Sequence, residues 1–234
     1  MLDTRGGMRS AIFSVDNGLM RFFSKIYDIV LLNLLFLIGC IPIVTIGPSL
    51  SALYSMTLKM VRNEESYIVH GFWKAWRENF RQGTIFGMIG IIYFIVITAD
   101  LFFTRASGEG QLKLFKIFCY SMLLLGYAVF LYVFPLIARF VYTWKEVFQN
   151  ACFMSIVHLP QTIFMVLLNI PILLMALYSG ITLLLLLSIM LVFGFSGMAM
   201  IQSILFRKIF ERYELPVEKE GLETDLEEKE KYGE

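Results

Sequence analysis

The sequence predicts an all-α integral membrane protein: a bundle of about six transmembrane helices, the second one short, with both termini on the cytoplasmic side. Three observations predict it. The composition is 58% hydrophobic and only 17% charged, against roughly 25% charged residues in a soluble domain. The apolar residues fall in runs long enough to cross a ~30 Å hydrocarbon core at about 1.5 Å per residue. The charge is also divided along the chain. The formal total is +1, but residues 213–234 hold nine acids and three lysines, a net −6, so the rest carries +7.

At the start, Met8, Ile12, Val15, Leu19, Phe22 and Ile26 recur at spacings of three and four, which places them on one helical face. Two readings stay open here: an interfacial helix lying on the membrane, or the first turns of a helix that enters it. Asp3, Arg5, Arg9 and Asp16 leave no room for the apolar core of a cleavable signal peptide. The expected organisation is a cytoplasmic amphipathic segment at 1–25, a transmembrane bundle at 26–212, and an acidic cytoplasmic tail at 213–234. The tail is polar with alternating charge, the pattern of a solvated segment.

Apolar runs follow at 26–46, 84–104, 114–138, 160–178 and 181–206. Asn169 and Pro171 interrupt the fourth, and a kink there is tolerated if neighbours satisfy the freed carbonyl. The stretch 47–61, GPSLSALYSMTLKMV, is shorter and less apolar, roughly 20 Å long as a helix. Gly47 suits a tight entry turn, and Pro48 suits the first helical position. If 47–61 crosses, fourteen Lys and Arg lie inside, in the groups 5–25, 59–81, 139–145 and 207–212. Three (Arg105, Lys113 and Lys116) then lie outside, tail lysines aside. If it does not cross, the charges split evenly, against the positive-inside rule. Six helices are therefore expected. A helix this short leaves its ends at membrane depth, so it belongs inside the bundle. Ser49, Ser51, Ser55 and Thr57 are then expected to hydrogen-bond to neighbouring helices.

Polar groups inside the spans are the first candidates for function. Asp28 lies one turn from Lys25, and Asp100 lies near Arg105, so interfacial salt bridges account for both. Gln202 is a further polar group, in the last span; the deeper Asn33 and Asn169 fit hydrogen bonds between helices. His70 and His158 each stand alone, with no ligand at metal spacing. Cys40, Cys119 and Cys152 show no pairing pattern and read as buried thiols. No nucleophile elbow, phosphate loop, zinc-protease or dinucleotide motif is present. The outer-face acids Asp100 and Glu109 make a poor carboxylate pair. No enzyme activity, cofactor, metal or nucleic-acid partner is therefore expected; the lipid bilayer is the one partner the composition demands.

Two features point to contacts. Gly83 and Gly87, with Gly90 after them, open a span and permit close helix approach, either within the bundle or at a dimer face. The stretch 70–83, HGFWKAWRENFRQG, sets Trp73, Trp76 and Phe80 at helical spacing beside Lys74, Arg77 and Arg81. It is either an anchor at anionic headgroups or a docking helix with aromatic anchors.

The stretches 41–68 (IPIVTIGPSLSALYSMTLKMVRNEESYI), 72–83 (FWKAWRENFRQG) and 134–163 (FPLIARFVYTWKEVFQNACFMSIVHLPQTI) closely resemble the YesL family, over roughly 10–212. These are bacterial polytopic membrane proteins whose domain is of unknown function. Members are often encoded beside carbohydrate ABC-transporter and polysaccharide-degradation genes. The resemblance implies an accessory role in oligosaccharide uptake or use at the cell (inner, cytoplasmic) membrane, with an ABC sugar-transporter permease or ATPase subunit as partner. It carries over no catalytic or ligand residues. The segment 144–160 ends in His158-Leu159-Pro160, faintly similar to the cytoplasmic loop of importer permeases, although that loop's Glu-Ala-Ala start and glycine are missing. Segments 71–81 and 144–160 are the expected contacts. The alternatives are a stand-alone transporter or channel for a small solute, which needs a polar path at the midplane, and a membrane-embedded regulator or assembly factor working through the tail. The candidate binding residues are Thr45, Gly47, Pro48 and Tyr54 around the short helix, and Trp76, Arg77, Asn79 and Phe80 on the aromatic-basic stretch.

Overall fold

The computed structural model describes residues 4–64, 67–106 and 113–210. Among these there is no strand. Helix α1 spans Thr4–Gly39, α2 Ile46–Val61, α3 Ile68–Glu78, α4 Phe80–Ala106, α5 Lys113–Arg139, α6 Trp144–Val157, α7 Leu159–Tyr178 and α8 Gly180–Ile189. A π-helical turn at Met190–Gly194 joins α8 to a last helix, α9, at 195–210. The expected acidic tail lies outside the described residues.

The apolar surface is turned outward. Three helices are long and apolar enough to cross a membrane: Phe80–Phe103, Leu114–Arg139 and Gly180–Phe210. Their most apolar stretches are only 17, 33 and 22% buried. In water such a surface would be an aggregation site; in lipid it is the required exterior. The pair α6–α7 meets the same criterion taken together, but it bends by 93° at His158. Among the described residues, length and composition thus support three spans, or four if that pair is one span.

Helix α1 departs from the expected bounds at both ends. It runs unbroken from Thr4, so the chain does not turn between 25 and 26, and it stops at Gly39 rather than at 46. Pro42 lacks an N–H and restricts the residue before it. The Thr45 hydroxyl then bonds the Gly39 carbonyl at 2.8 Å and the Pro42 carbonyl at 2.7 Å, closing the end of α1. A single 3-10 turn at Ile43–Thr45 leads into α2.

Helix α2 sits inside the bundle, as its length requires. Eleven of its sixteen residues are buried. Gly47 is not an entry turn and Pro48 is not the first helical residue: α2 begins at Ile46, so Pro48 is third, still within the turn that needs no N–H donor. Gly47 serves a different purpose. A Cβ on Gly87 would lie 2.9 Å from the Gly47 Cα, and one on Gly83 would lie 2.8 Å from the Pro48 Cα. Backbones of α2 and α4 therefore touch, with no room for a methyl group. The glycine pair of α4 packs within the bundle. At its other end α2 closes on Asn63, whose φ of 55° is the left-handed conformation Asn tolerates.

One end of the bundle is basic. The Lys25 ammonium reaches Asn63 Oδ1 at 3.4 Å, rather than the Asp28 expected for it, and Arg207 donates to the Val61 carbonyl at 3.1 Å. Ends of α2 and α9 thus meet beside Lys25 of α1, the grouping that the charge count placed on one side.

Candidate functional site

Helices α2, α4, α5, α7 and α9, with Met190 of the π turn, enclose a cavity of about 590 Å³. Its walls are apolar, including Leu50, Leu53, Ile91, Phe130, Met198 and Ala199. Glycines 87 and 90 line it on the α4 side, and Phe130 lies against Gly90, 2.8 Å from where a Cβ would stand. Of the residues that line the cavity, Ile95 of α4 and Phe195 of α9 are the exposed ones. Four polar side chains reach it: Tyr54, Tyr127, Asn169 and Gln202.

Three of these polar groups are held by their own helix or by each other. The Tyr54 hydroxyl donates to Gln202 Oε1. Three residues further along α2 and one along α9, the Thr57 and Ser203 hydroxyls share a bond of 2.7 Å. Asn169 donates to the Met165 carbonyl at 2.7 Å within α7, which runs through Pro171 without a break. Among the described residues that line the cavity none is charged, and no group of three His, Cys, Asp or Glu comes together anywhere in them.

The π turn beside the cavity has a visible cause. Asn33 of α1 donates to the Met190 and Leu191 carbonyls at 3.0 and 2.8 Å, and its Oδ1 accepts the Ser196 N–H at 3.1 Å. A π turn frees backbone groups that an α-helix would pair, and one fully buried amide satisfies three of them. Ser196 adds a bond from its hydroxyl to the Ile29 carbonyl at 2.8 Å.

The second candidate is a surface. Trp73 and Trp76 of α3 and Phe80 of α4 follow one another edge to face, at 5.5 and 4.9 Å. They do not share one helix, because the chain breaks at Asn79 between α3 and α4. Phe72 and Ala75 face inward, while Lys74, Arg77 and Glu78 are exposed. The α5–α6 connection lies against this corner. Gln82 donates to the Tyr142 carbonyl at 2.9 Å, and the Arg81 guanidinium stands 5.4 Å from the Trp144 ring. Burial, and then the Glu146 carboxylate, raise the Tyr142 phenol above its ordinary range. Glu146 also accepts the Thr143 N–H at 2.7 Å, the capping box that starts α6. At the far end of α6 the bend is locked by Thr162, whose hydroxyl lies 3.0 Å from both the Ser155 and His158 carbonyls and 2.8 Å from the Tyr132 hydroxyl.

The structure draws the two nominated residue groups together. Trp76 Nε1 donates to Ser49 Oγ at 3.3 Å, and Gly47 and Pro48 abut Gly83, four residues past Asn79. Thr45, Gly47 and Pro48 are occupied in packing and helix closure. Of that group Tyr54 alone reaches the cavity. Arg77 and Phe80 are exposed, and Trp76 and Asn79 half-buried. Tyr127 escaped the sequence reading, since a tyrosine in an apolar run looks like any other core aromatic. Gln202 was visible as a polar residue in a span, but not its partner.

A family profile described as "Protein of unknown function, DUF624" matches residues 29–101, under a third of the chain. The match takes in the end of α1, all of α2 and α3, and most of α4. It includes the resembling stretches at 41–68 and 72–83, and leaves out the one at 134–163. No curated protein and no solved structure matches the chain. Over residues 29–101 the chain is therefore similar to a family whose own function is unknown.

Proposed function

We propose that this chain is a non-enzymatic accessory component of oligosaccharide uptake, resident in the cell membrane with both termini in the cytoplasm, where it works beside the permease or ATPase of an ABC-type sugar importer. The observation that supports the reading is the corner where α3 and α4 meet the start of α6. The two segments expected to make partner contacts, 71–81 and 144–160, are distant in sequence, yet Gln82–Tyr142 and Arg81–Trp144 fix them side by side. The result is one surface with aromatic anchors and exposed cations, the composition of an interaction hot spot. The cavity supports the stand-alone transporter or channel for a small solute less well: its walls carry no charge and offer few hydrogen-bonding groups, whereas a hydrated solute needs a polar lining.

The test is photo-cross-linking in native membranes from the exposed positions Lys74, Arg77 and Phe148, followed by identification of the captured chains. Cross-links from both segments to one importer permease or ATPase are expected. Recovery of no importer component from any of the three positions would remove the reading.

A further inference from the structure

We infer that the cavity is a lipid site, taking one acyl chain of a bilayer glycerolipid, with the lipid's ester carbonyl held by the Gln202 amide. The inference stands apart from the importer reading, since it uses a different part of the molecule.

Four observations carry it. The volume, about 590 Å³, falls within the range of roughly 300–1,000 Å³ typical of small-molecule sites. The exposed lining residues, Ile95 and Phe195, put the mouth at α4 and α9, helices long and apolar enough to belong to membrane-crossing segments. The medium at that mouth is therefore the bilayer, and a lipid chain enters without leaving hydrocarbon. None of the described lining residues is charged, so an ion or a charged headgroup finds no counter-charge inside. Finally, Gln202 is only 3% exposed, and it lines the cavity. One amide atom is taken by the Tyr54 hydroxyl. Among the described residues the other has no protein partner, and it is not among the atoms sealed away from space. A buried amide with an unused donor facing an apolar cavity calls for an acceptor from the occupant.

Depth supports an ester as that acceptor. Gln202 precedes Arg207 and Lys208 on α9 by about 8 Å of helix rise. Basic residues at the end of a membrane helix mark the headgroup level, so Gln202 lies just below it, where ester carbonyls begin. The chain would then run away from the basic end, past Ala199, Met198 and Phe195.

The experiment uses the full chain in nanodiscs of phosphatidylethanolamine and phosphatidylglycerol doped with a phosphatidylcholine bearing a diazirine on one acyl chain. After irradiation, labelled positions are read by peptide mass spectrometry. Label concentrated on 87–95 and 195–202 is expected. Ala199→Phe on α9 and Leu50→Trp on α2, which each put added volume into the cavity, should each abolish that label while leaving label on the exposed Phe102 and Leu184 unchanged. Retained label at those two outer positions also shows that the variant is folded and inserted. Gln202→Leu, of similar volume, should weaken labelling by up to about tenfold, the equivalent of one lost hydrogen bond. Label spread evenly over the outer apolar surface would mean annular lipid only and would overturn the proposal. So would cavity label that survives either filling substitution, or that Gln202→Leu leaves untouched.

Discussion

Helices α2 and α8 follow opposite rules. The first, Ile46–Val61, carries Gly47, three serines and a threonine, and eleven of its sixteen residues are buried. The second, Gly180–Ile189, has seven leucines and isoleucines in ten residues, and only Leu186 is buried. In a water-soluble fold the order would be reversed. In a bilayer the lipid tails are as apolar as leucine, so there is little to gain by hiding it from them. What helices gain by approaching each other is close backbone packing and hydrogen bonds, and small or polar residues supply both. The comparison therefore assigns the stability of this bundle to α2 and its contacts, and leaves α8 as lipid-facing surface.

The sharpest way to break that assignment is at the glycine contact. Gly47→Leu drives a branched side chain into the backbone of Gly83, and we expect a loss of about 3 kcal/mol or more, the upper end of overpacking effects. Gly180→Ala is its control, because nothing lies within 4 Å of a Cβ there; the change should stay within about 0.5 kcal/mol. Reversible unfolding in mixed micelles measures both. Similar effects at the two glycines would end the argument.

The next largest effect is expected at Asn33, where one amide holds three backbone groups of the 190–196 segment. Asn33→Leu leaves them without partners at a cost of about 2 kcal/mol. Hydrogen exchange at Ser196 should rise with it. Unchanged exchange would show that the π turn holds itself.

Much of the comparison was legible in the residues, and the exceptions have a common cause. The short length of 47–61 required burial, and the spacing of Gly83 and Gly87 required a close neighbour. Neither indicated that the neighbour was Gly47, because pairing between helices leaves no mark on either one's hydropathy. Asn33 was legible as a hydrogen-bonding residue. The π turn it supports was not, since its cause lies some 157 residues away in the chain. The end of α1 at Gly39 was hidden because Ile41, Ile43, Val44 and Ile46 continue the apolar run after the helix has stopped. Hydropathy registers that the residues are apolar, not that Pro42 has broken their geometry. The bend at His158 was hidden for a similar reason: Pro160 is compatible both with a helix start and with a loop, and only the Thr162–Tyr132 contact fixes the first. For the candidate site, Tyr54 and Gln202 were each visible, but the bond between them was not.

That bond gives a smaller effect. Tyr54→Phe removes the hydroxyl and leaves the ring, which meets Phe206 edge to face at 6.0 Å. The expected cost is about 1 kcal/mol. A double-mutant cycle with Gln202→Leu should return a coupling of the same order. A coupling near zero would show that the two side chains are neighbours without being energetically linked, and α2 would then owe its place beside α9 to packing and to the Thr57–Ser203 and Arg207–Val61 bonds.

The smallest effect tests the other half of the comparison. Leu184 in α8 is 66% exposed. Leu184→Ala should leave unfolding of the inserted bundle within about 0.5 kcal/mol of the parent, because leucine touches lipid before and after the bundle comes apart. The same substitution should still reduce insertion of the α8–α9 segment, by about 0.5 kcal/mol, because leucine favours transfer from water to hydrocarbon. The two measurements separate what a soluble protein merges. In water, entering the apolar phase and packing against neighbours are one event, so a leucine contributes to both at once. In this chain they are two events, and Leu184 should count in the first and be silent in the second. A loss of bundle stability at Leu184 comparable to that at Asn33 would mean that α8 is covered by a partner helix rather than by lipid.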